Sequence, residues 1–231
     1  HRYKEEKIIN ISDNLEIHLI PSMGYKRNIG PGRLLDHGQM AYNLKKSLQN
    51  VKIFPDVVFI GFPPIETSAV ITRWLKNNNI PCILDIQDQW PELFIDPLPS
   101  LLKPIGRLAF FPYFYLAKRA MRDATGFAAM SEGYLNWALK FAGRRRIDED
   151  IISPLTTPKM QVSDSEHNKA KKWWDDRGVR DDEHPKVSFV GSLSPAFDFT
   201  PVYEAAKKFA SEKIKCDFII CGTGGSSDDI K

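Results

Sequence analysis

Cysteine is scarce in this sequence, with three residues in 231, and no two of them form a C-x-x-C pair. Cys82, Cys216 and Cys221 each fall in or beside an apolar run, where a thiol acts as a small buried hydrophobe. An odd count without paired spacing excludes a disulfide framework and a thiolate zinc site, and it points to a reducing compartment. Long apolar runs are missing too. The most lipophilic stretch, residues 108–117, contains Pro112 and is about half the roughly 20 residues that a bilayer-spanning helix needs. There is no excess of one charge: 32 Lys and Arg face 29 Asp and Glu, and a net +3 leaves no electrostatic footprint for nucleic acid. The absence of G-x-G-x-x-G and of G-x-x-x-x-G-K-[ST] argues against a dinucleotide-binding oxidoreductase and a P-loop enzyme. The five histidines form no H-E-x-x-H and no close cluster. No signal-peptide pattern precedes the first elements, and a chain opening on His1 is expected to start inside a longer product.

What is present is a soluble α/β pattern with an ordinary 42% of hydrophobic residues. The length suits one large domain, or one domain and part of another. Residues 15–20 read as a strand, 25–38 as a glycine-rich loop and 41–48 as the end of a helix. A βαβ unit follows, with a strand at 57–60, a helix from Ile65 to about Asn77 and a strand at 82–86. Residues 101–122 read as a helical segment interrupted near Pro112. Residues 125–130 form a strand, Ser131 suits the N-cap of the next helix, and a short strand covers 148–152. A charged helix at 164–177 leads to a polar turn at His184-Pro185, and the domain boundary is placed there. The expectation is an N-terminal Rossmann-like domain over 1–183 lacking its first strand. A second α/β domain then begins at 184–231, with a strand at 187–191, a helix at 201–209 and a strand at 216–221. Short apolar runs without strict alternation predict parallel strands covered on both faces.

The chemistry is expected after the strands, because ligands of open α/β sheets bind at the strands' carboxyl ends. Asp85-Ile86-Gln87-Asp88-Gln89-Trp90-Pro91-Glu92 stands at such an end. Asp88 either accepts a proton or hydrogen bond from a hydroxyl, or caps the next segment together with Glu92. Trp90 either offers a face to a sugar ring or belongs to the core. The Phe62-Pro63-Pro64 loop leads to Glu66 at the same edge, either as cleft residues or as a plain turn. Ser131 and Glu132 are likewise cleft residues or a cap. In the second domain, Gly191-Ser192 and Gly222-Thr223-Gly224 follow strands, where glycine lets a backbone approach a ligand and leaves amides for phosphate oxygens. His37 is either catalytic or a surface or capping residue, and Arg144-Arg145-Arg146 reads as a solvated face. Residues 93–122 mix aromatic and aliphatic side chains with Lys and Arg. They form either a buried helical pair or an interfacial segment at an anionic membrane.

Several of these segments, in order, resemble a bacterial subset of the retaining family 4 glycosyltransferases, which build O-antigens, capsules and exopolysaccharides on two Rossmann-like domains (the GT-B architecture). Asp85 to Glu92 is similar to their D-x-R-D-x-W-P-E signature, and Pro55-Asp56-Val57-Val58 to the strand before their Pro-Pro loop. Ala129-Met130-Ser131-Glu132-Gly133, Phe189-Val190-Gly191-Ser192-Leu193 and Ile220-Cys221-Gly222-Thr223-Gly224 look like later family segments. Gln87 stands where the family usually has Arg. The first strand with its glycine-rich loop is missing, and so is the C-terminal E-x7-E region. The resemblance implies transfer of a sugar from a nucleotide sugar to a lipid-linked or saccharide acceptor, with retention at the anomeric carbon, in cell-surface polysaccharide synthesis. It implies Asp88 as the catalytic carboxylate, with Pro63, Pro64, Glu66, Trp90, Glu92, Ser131 and Glu132 on the acceptor side. Gly191, Ser192, Gly222 and Gly224 would meet the donor. It implies no cofactor and no metal, and a cytoplasmic enzyme; contact with the inner face of the membrane through 93–122 is read from that segment's residue mix and not from the resemblance. The rival reading is a nucleotide-sugar-binding or epimerase-like protein. An epimerase is expected to carry a glycine-rich dinucleotide fingerprint at its first strand.

Overall fold

The structure is a computed structural model that describes residues 5–25, 30–157, 159–179, 182–194 and 197–225. The chain forms two compact units, residues 1–157 and 158–231. The division falls ahead of the charged helix, not at the expected 183/184. The polar turn at His184-Pro185 has the composition of a linker, but Ala170 and Trp174 of that helix line the same hollow as Ser188, Val190 and Ile219, so the helix belongs with the second unit.

The first unit opens with an antiparallel hairpin, β1 (Lys7–Ser12) and β2 (Leu15–Leu19). Helix α1 (Pro31–Gln49) follows, with proline in its first turn, where a missing N–H costs nothing. The loop expected over 25–38 is therefore helical from Pro31 on; residues 26–29 lie outside the described residues. Gly32 and Gly38 oppose a helix by about 1 kcal/mol each relative to alanine. Tertiary ties outweigh that penalty: Asp36 accepts from the Gly24 amide, and the Asn43 amide donates to the Pro21 carbonyl at 2.9 Å.

The core of this unit is a parallel sheet in the order β3-β4-β5-β6, formed by Val58–Phe62, Cys82–Ile86, Gly126–Ala129 and Ile151–Ile152. The connections run through α2 (Ile65–Asn77), then a 3-10 turn (Glu92–Phe94) with α3 (Lys103–Ala109) and α4 (Phe111–Asp123), then α5 (Glu132–Ala142). A sequential strand order joined by right-handed crossovers puts these helices on one side of the sheet. The side chains agree. Ile60, Phe62, Cys82, Leu84 and Ile86 are buried against Ile65, Leu75, Ala117, Met121, Leu135 and Ala138. Phe59, which points the other way, is 65% exposed. The expectation of strands covered on both faces is thus corrected for β3, whose second face is bare, whereas β5 is buried along its whole length. The result is a mixed α/β fold with a central parallel sheet and flanking helices, broadly Rossmann-like.

The second unit contains α6 (Asp164–Asp175), β7 (Lys186–Val190), α7 (Thr200–Ser211) and β8 (Asp217–Cys221), with β7 and β8 paired in parallel. A reciprocal capping box between Ser163 and Glu166 fixes the start of α6.

Candidate functional site

β3 and β4 are parallel neighbours with Phe62 opposite Ile86, so the loops that follow them leave the sheet side by side at its carboxyl end. The Gln87 amide donates back to the Phe62 carbonyl at 2.9 Å and ties the two loops together. Gln87 Nε2 also donates to Asp85 Oδ2 at 2.7 Å, so a hydrogen bond stands where an arginine would make an ion pair.

Asp88 is half-buried just past this tie. Burial pushes its carboxyl above the usual carboxylate range, and the opposing charge of Arg33 only partly offsets that. Trp90 is buried among the core residues, the second of the two placements open to it from the sequence. The Arg33 guanidinium lies 4.5 Å from its ring centroid, the His37 imidazole stacks on it at 6.0 Å, and Phe94 packs at 4.8 Å. Arg33 and His37 are one turn apart on α1, so a single helix face clamps the tryptophan that follows Asp88 in the loop. Glu92 accepts a short hydrogen bond from Trp137 Nε1 of α5, which makes it an anchor for the loop.

Beneath the Pro63-Pro64 turn, Glu66 lies in the first turn of α2, where the helix dipole favours a carboxylate. It is buried, and its Oε2 is 3.7 Å from Nδ1 of His37, which is also buried. His37 Nδ1 and both Glu66 oxygens lack a full hydrogen bond among the described residues. The Tyr113 hydroxyl of α4 shares this surrounding: burial, and then the negative charge of Glu66, push it up to about 12. A buried carboxylate paired this loosely is costly to a fold, and such groups concentrate at functional sites. The surface or capping role expected for His37 is therefore corrected.

The structure brings Glu66, Asp88 and Trp90 into one cluster, joins His37 to it, and adds Arg33 and Tyr113, which the sequence did not single out for the site. The i, i+4 spacing of Arg33 and His37 would have pointed to a shared face had α1 been read as starting at Pro31. Ser131 and Glu132 follow β5, stand exposed and do not join the cluster. Ser131 occupies the N-cap of α5 without a capping bond from its side chain, and Glu132 pairs with Arg146 at 3.3 Å. Arg144 is no solvated residue. It grips Asp150 with both terminal nitrogens, at 2.6 and 2.7 Å. No group of three or more His, Cys, Asp or Glu among the described residues is placed to hold a metal ion.

In the second unit, Gly191 and Ser192 follow β7, and Gly222 and Gly224 follow β8. The amides of Gly191 and Leu193 donate to the Cys221 and Thr223 carbonyls, both at 3.0 Å, so these two amides serve the strand pairing. A Cβ on Gly222 would lie 1.9 Å from the Gly191 oxygen, and one on Gly224 would lie 2.2 Å from the Leu193 oxygen. Both glycines are needed for one backbone to pass the other, whatever they touch besides. Placing valine at Gly224 is expected to loosen the β7–β8 pair, read as lost amide protection across both strands by hydrogen exchange. Unchanged protection would contradict that reading.

No family model matches the sequence, and no curated protein matches it.

Proposed function

We propose that the carboxyl end of the first sheet is the acceptor side of a nucleotide-sugar glycosyltransferase of the two-domain GT-B type, and that the second unit belongs to the donor-binding domain. The observation that carries this reading is Asp88, a half-buried carboxylate at the carboxyl end of a parallel sheet, with its loop held by Trp90, Glu92 and Arg33. Ligands of open α/β sheets bind at this edge. There Asp88 accepts a hydrogen bond from the acceptor hydroxyl, orients it, and offsets the positive charge that grows on the oxygen as it attacks the anomeric carbon. The bond from that carbon to the nucleoside diphosphate breaks, the diphosphate leaves with the electron pair, and the hydroxyl proton passes to Asp88. Retention at the anomeric carbon is the outcome proposed. The loops carrying Gly191, Ser192, Gly222 and Gly224 are proposed to meet the donor. Glu66 and His37 are proposed to support Trp90 and the wall next to the acceptor.

The reading is tested by calorimetry of the full-length protein with uridine and guanosine diphosphate sugars. Saturable binding of one nucleotide class is expected. Failure of both classes to bind would contradict the proposal.

A further inference from the structure

We infer that α3 and α4 form a docking surface for an anionic lipid bilayer. The argument begins with how α3 is seated. Its only buried residue is Gly106, where a Cβ would come within 2.7 Å of Leu98 Cδ1 and 2.9 Å of Ile95 Cγ2. With the helix pressed down at that point, Leu101, Ile105 and Leu108 face outward at i, i+4 and i+7, and are 91%, 63% and 78% exposed. After Phe110, α4 buries Ala117, Ala120 and Met121 and presents Phe111, Tyr115, Lys118 and Arg122 along one face, at i, i+4, i+7 and i+11. Two consecutive helices thus expose large apolar side chains followed by cations. A run of bare apolar side chains of this kind marks a contact surface.

Charge decides what the surface contacts. Residues 101–122 contain five Lys and Arg and no Asp or Glu. The basic end of α4 borders a hollow of about 820 Å³ lined by Arg73, Lys76, Lys118, Arg119 and Arg122, and Tyr115 lines it too, which joins the apolar stripe to the basic one. Its only acidic lining residue among the described residues is Asp123, which meets Lys76 at 2.7 Å, Arg73 at 3.5 Å and Arg119 at 3.9 Å. Lys118 and Arg122 add further positive charge and make no ion pair among the described residues. Phosphate headgroups complement this surplus, and acyl chains complement the convex apolar stripe beside it. No helix among the described residues is long and apolar enough to cross a membrane, so the contact is one of lying on the surface. The stripe also adjoins the candidate site, because Phe110 and Tyr113 pack on Phe94, which packs on Trp90. The inference does not rest on transferase activity.

The test is flotation of the full-length protein with vesicles of phosphatidylcholine alone and of phosphatidylcholine with phosphatidylglycerol. Wild-type protein is expected on the anionic vesicles, less so at high salt, and to stay largely unbound with the neutral ones. Arg107, Lys118 and Arg122 are exposed and unpaired among the described residues, so their replacement by glutamine leaves the fold intact, with a melting curve as control. The triple variant is expected to partition on the order of 100-fold more weakly, since each cation near an anionic surface contributes about fivefold. Ile105→Ser, Leu108→Ser and Phe111→Ser together are expected to weaken binding to the same vesicles. Wild-type protein that ignores anionic vesicles, including one that uses this face to bind a second copy, overturns the inference. So does a charge variant that partitions like wild type.

Discussion

Replacing Asp88 with asparagine is expected to lower sugar transfer by roughly 10²-fold or more, the usual scale for a positioned acid or base, while the protein stays folded. Asparagine keeps the shape of the side chain and removes the charge that would orient the attacking hydroxyl. The stability expectation follows from the direction of the carboxyl's shift. Burial raises the folded-state pKa of Asp88, with Arg33 opposing. A group shifted this way favours the fold when protonated, and that contribution fades as pH rises through the raised value. At neutral pH the ionised carboxylate is therefore a mild burden, so the asparagine variant should melt at the same temperature as wild type or higher. Lost activity with retained or raised stability is the signature of a site residue. Wild-type turnover, or a lowered melting temperature, would mean that Asp88 is a structural cap.

The largest effect on stability is expected at Asp150. Its side chain is fully buried and accepts from both Arg144 terminal nitrogens, from the Ile147 amide at 2.9 Å and from the Phe127 amide at 2.9 Å. The Arg144 guanidinium also lies 4.5 Å from the centroid of the Phe127 ring. This one carboxylate thus joins β5 to the loop ahead of β6. Alanine at this position would leave a strand amide and a guanidinium without their acceptor. Breaking a buried pair costs about 3–5 kcal/mol; Arg144 is 25% exposed and can rehydrate, which favours the lower end. A melting temperature lower by roughly 6–12 °C follows for a chain of this size. The pH dependence has a definite sign. Burial alone would raise the Asp150 carboxyl, but its bonds to Arg144, Ile147 and Phe127 prevail and hold it below the usual carboxylate range. Its contribution is therefore complete above that range and is lost as pH falls through the depressed value. Wild type and Asp150→Ala should differ in denaturant midpoint at neutral pH and converge in strong acid. A variant as stable as wild type at neutral pH would refute this role.

The elements legible in the sequence were those whose signals are local. β3, α2 and β4 stand out because proline, glycine and asparagine bracket short apolar runs, and the structure places them within a residue or two of the expected limits. The start of α1 was hidden, because Gly32 and Gly38 speak against a helix that is held by Asp36 and Asn43 through partners outside it. The bare second face of β3 was hidden too, since Val58 to Phe62 reads as a continuous apolar run although Phe59 is bare. At the site, Glu66 and Asp88 could be singled out because each follows a strand. Trp90 was noticed, but its burial depends on Arg33 and His37, more than 50 positions away. Arg144 illustrates the same limit. In a run of three arginines it looks like solvated surface, and only the fold reveals Asp150 as its partner.

The account turns on whether Asp88 serves sugar transfer, and the most direct measurement is nuclear magnetic resonance of the product formed by the full-length protein from the nucleotide sugar that it binds. The account predicts a new glycosidic linkage whose anomeric configuration matches that of the donor, formed by wild type and nearly lost in Asp88→Asn. A product of inverted configuration, or equal product from both proteins, would contradict it.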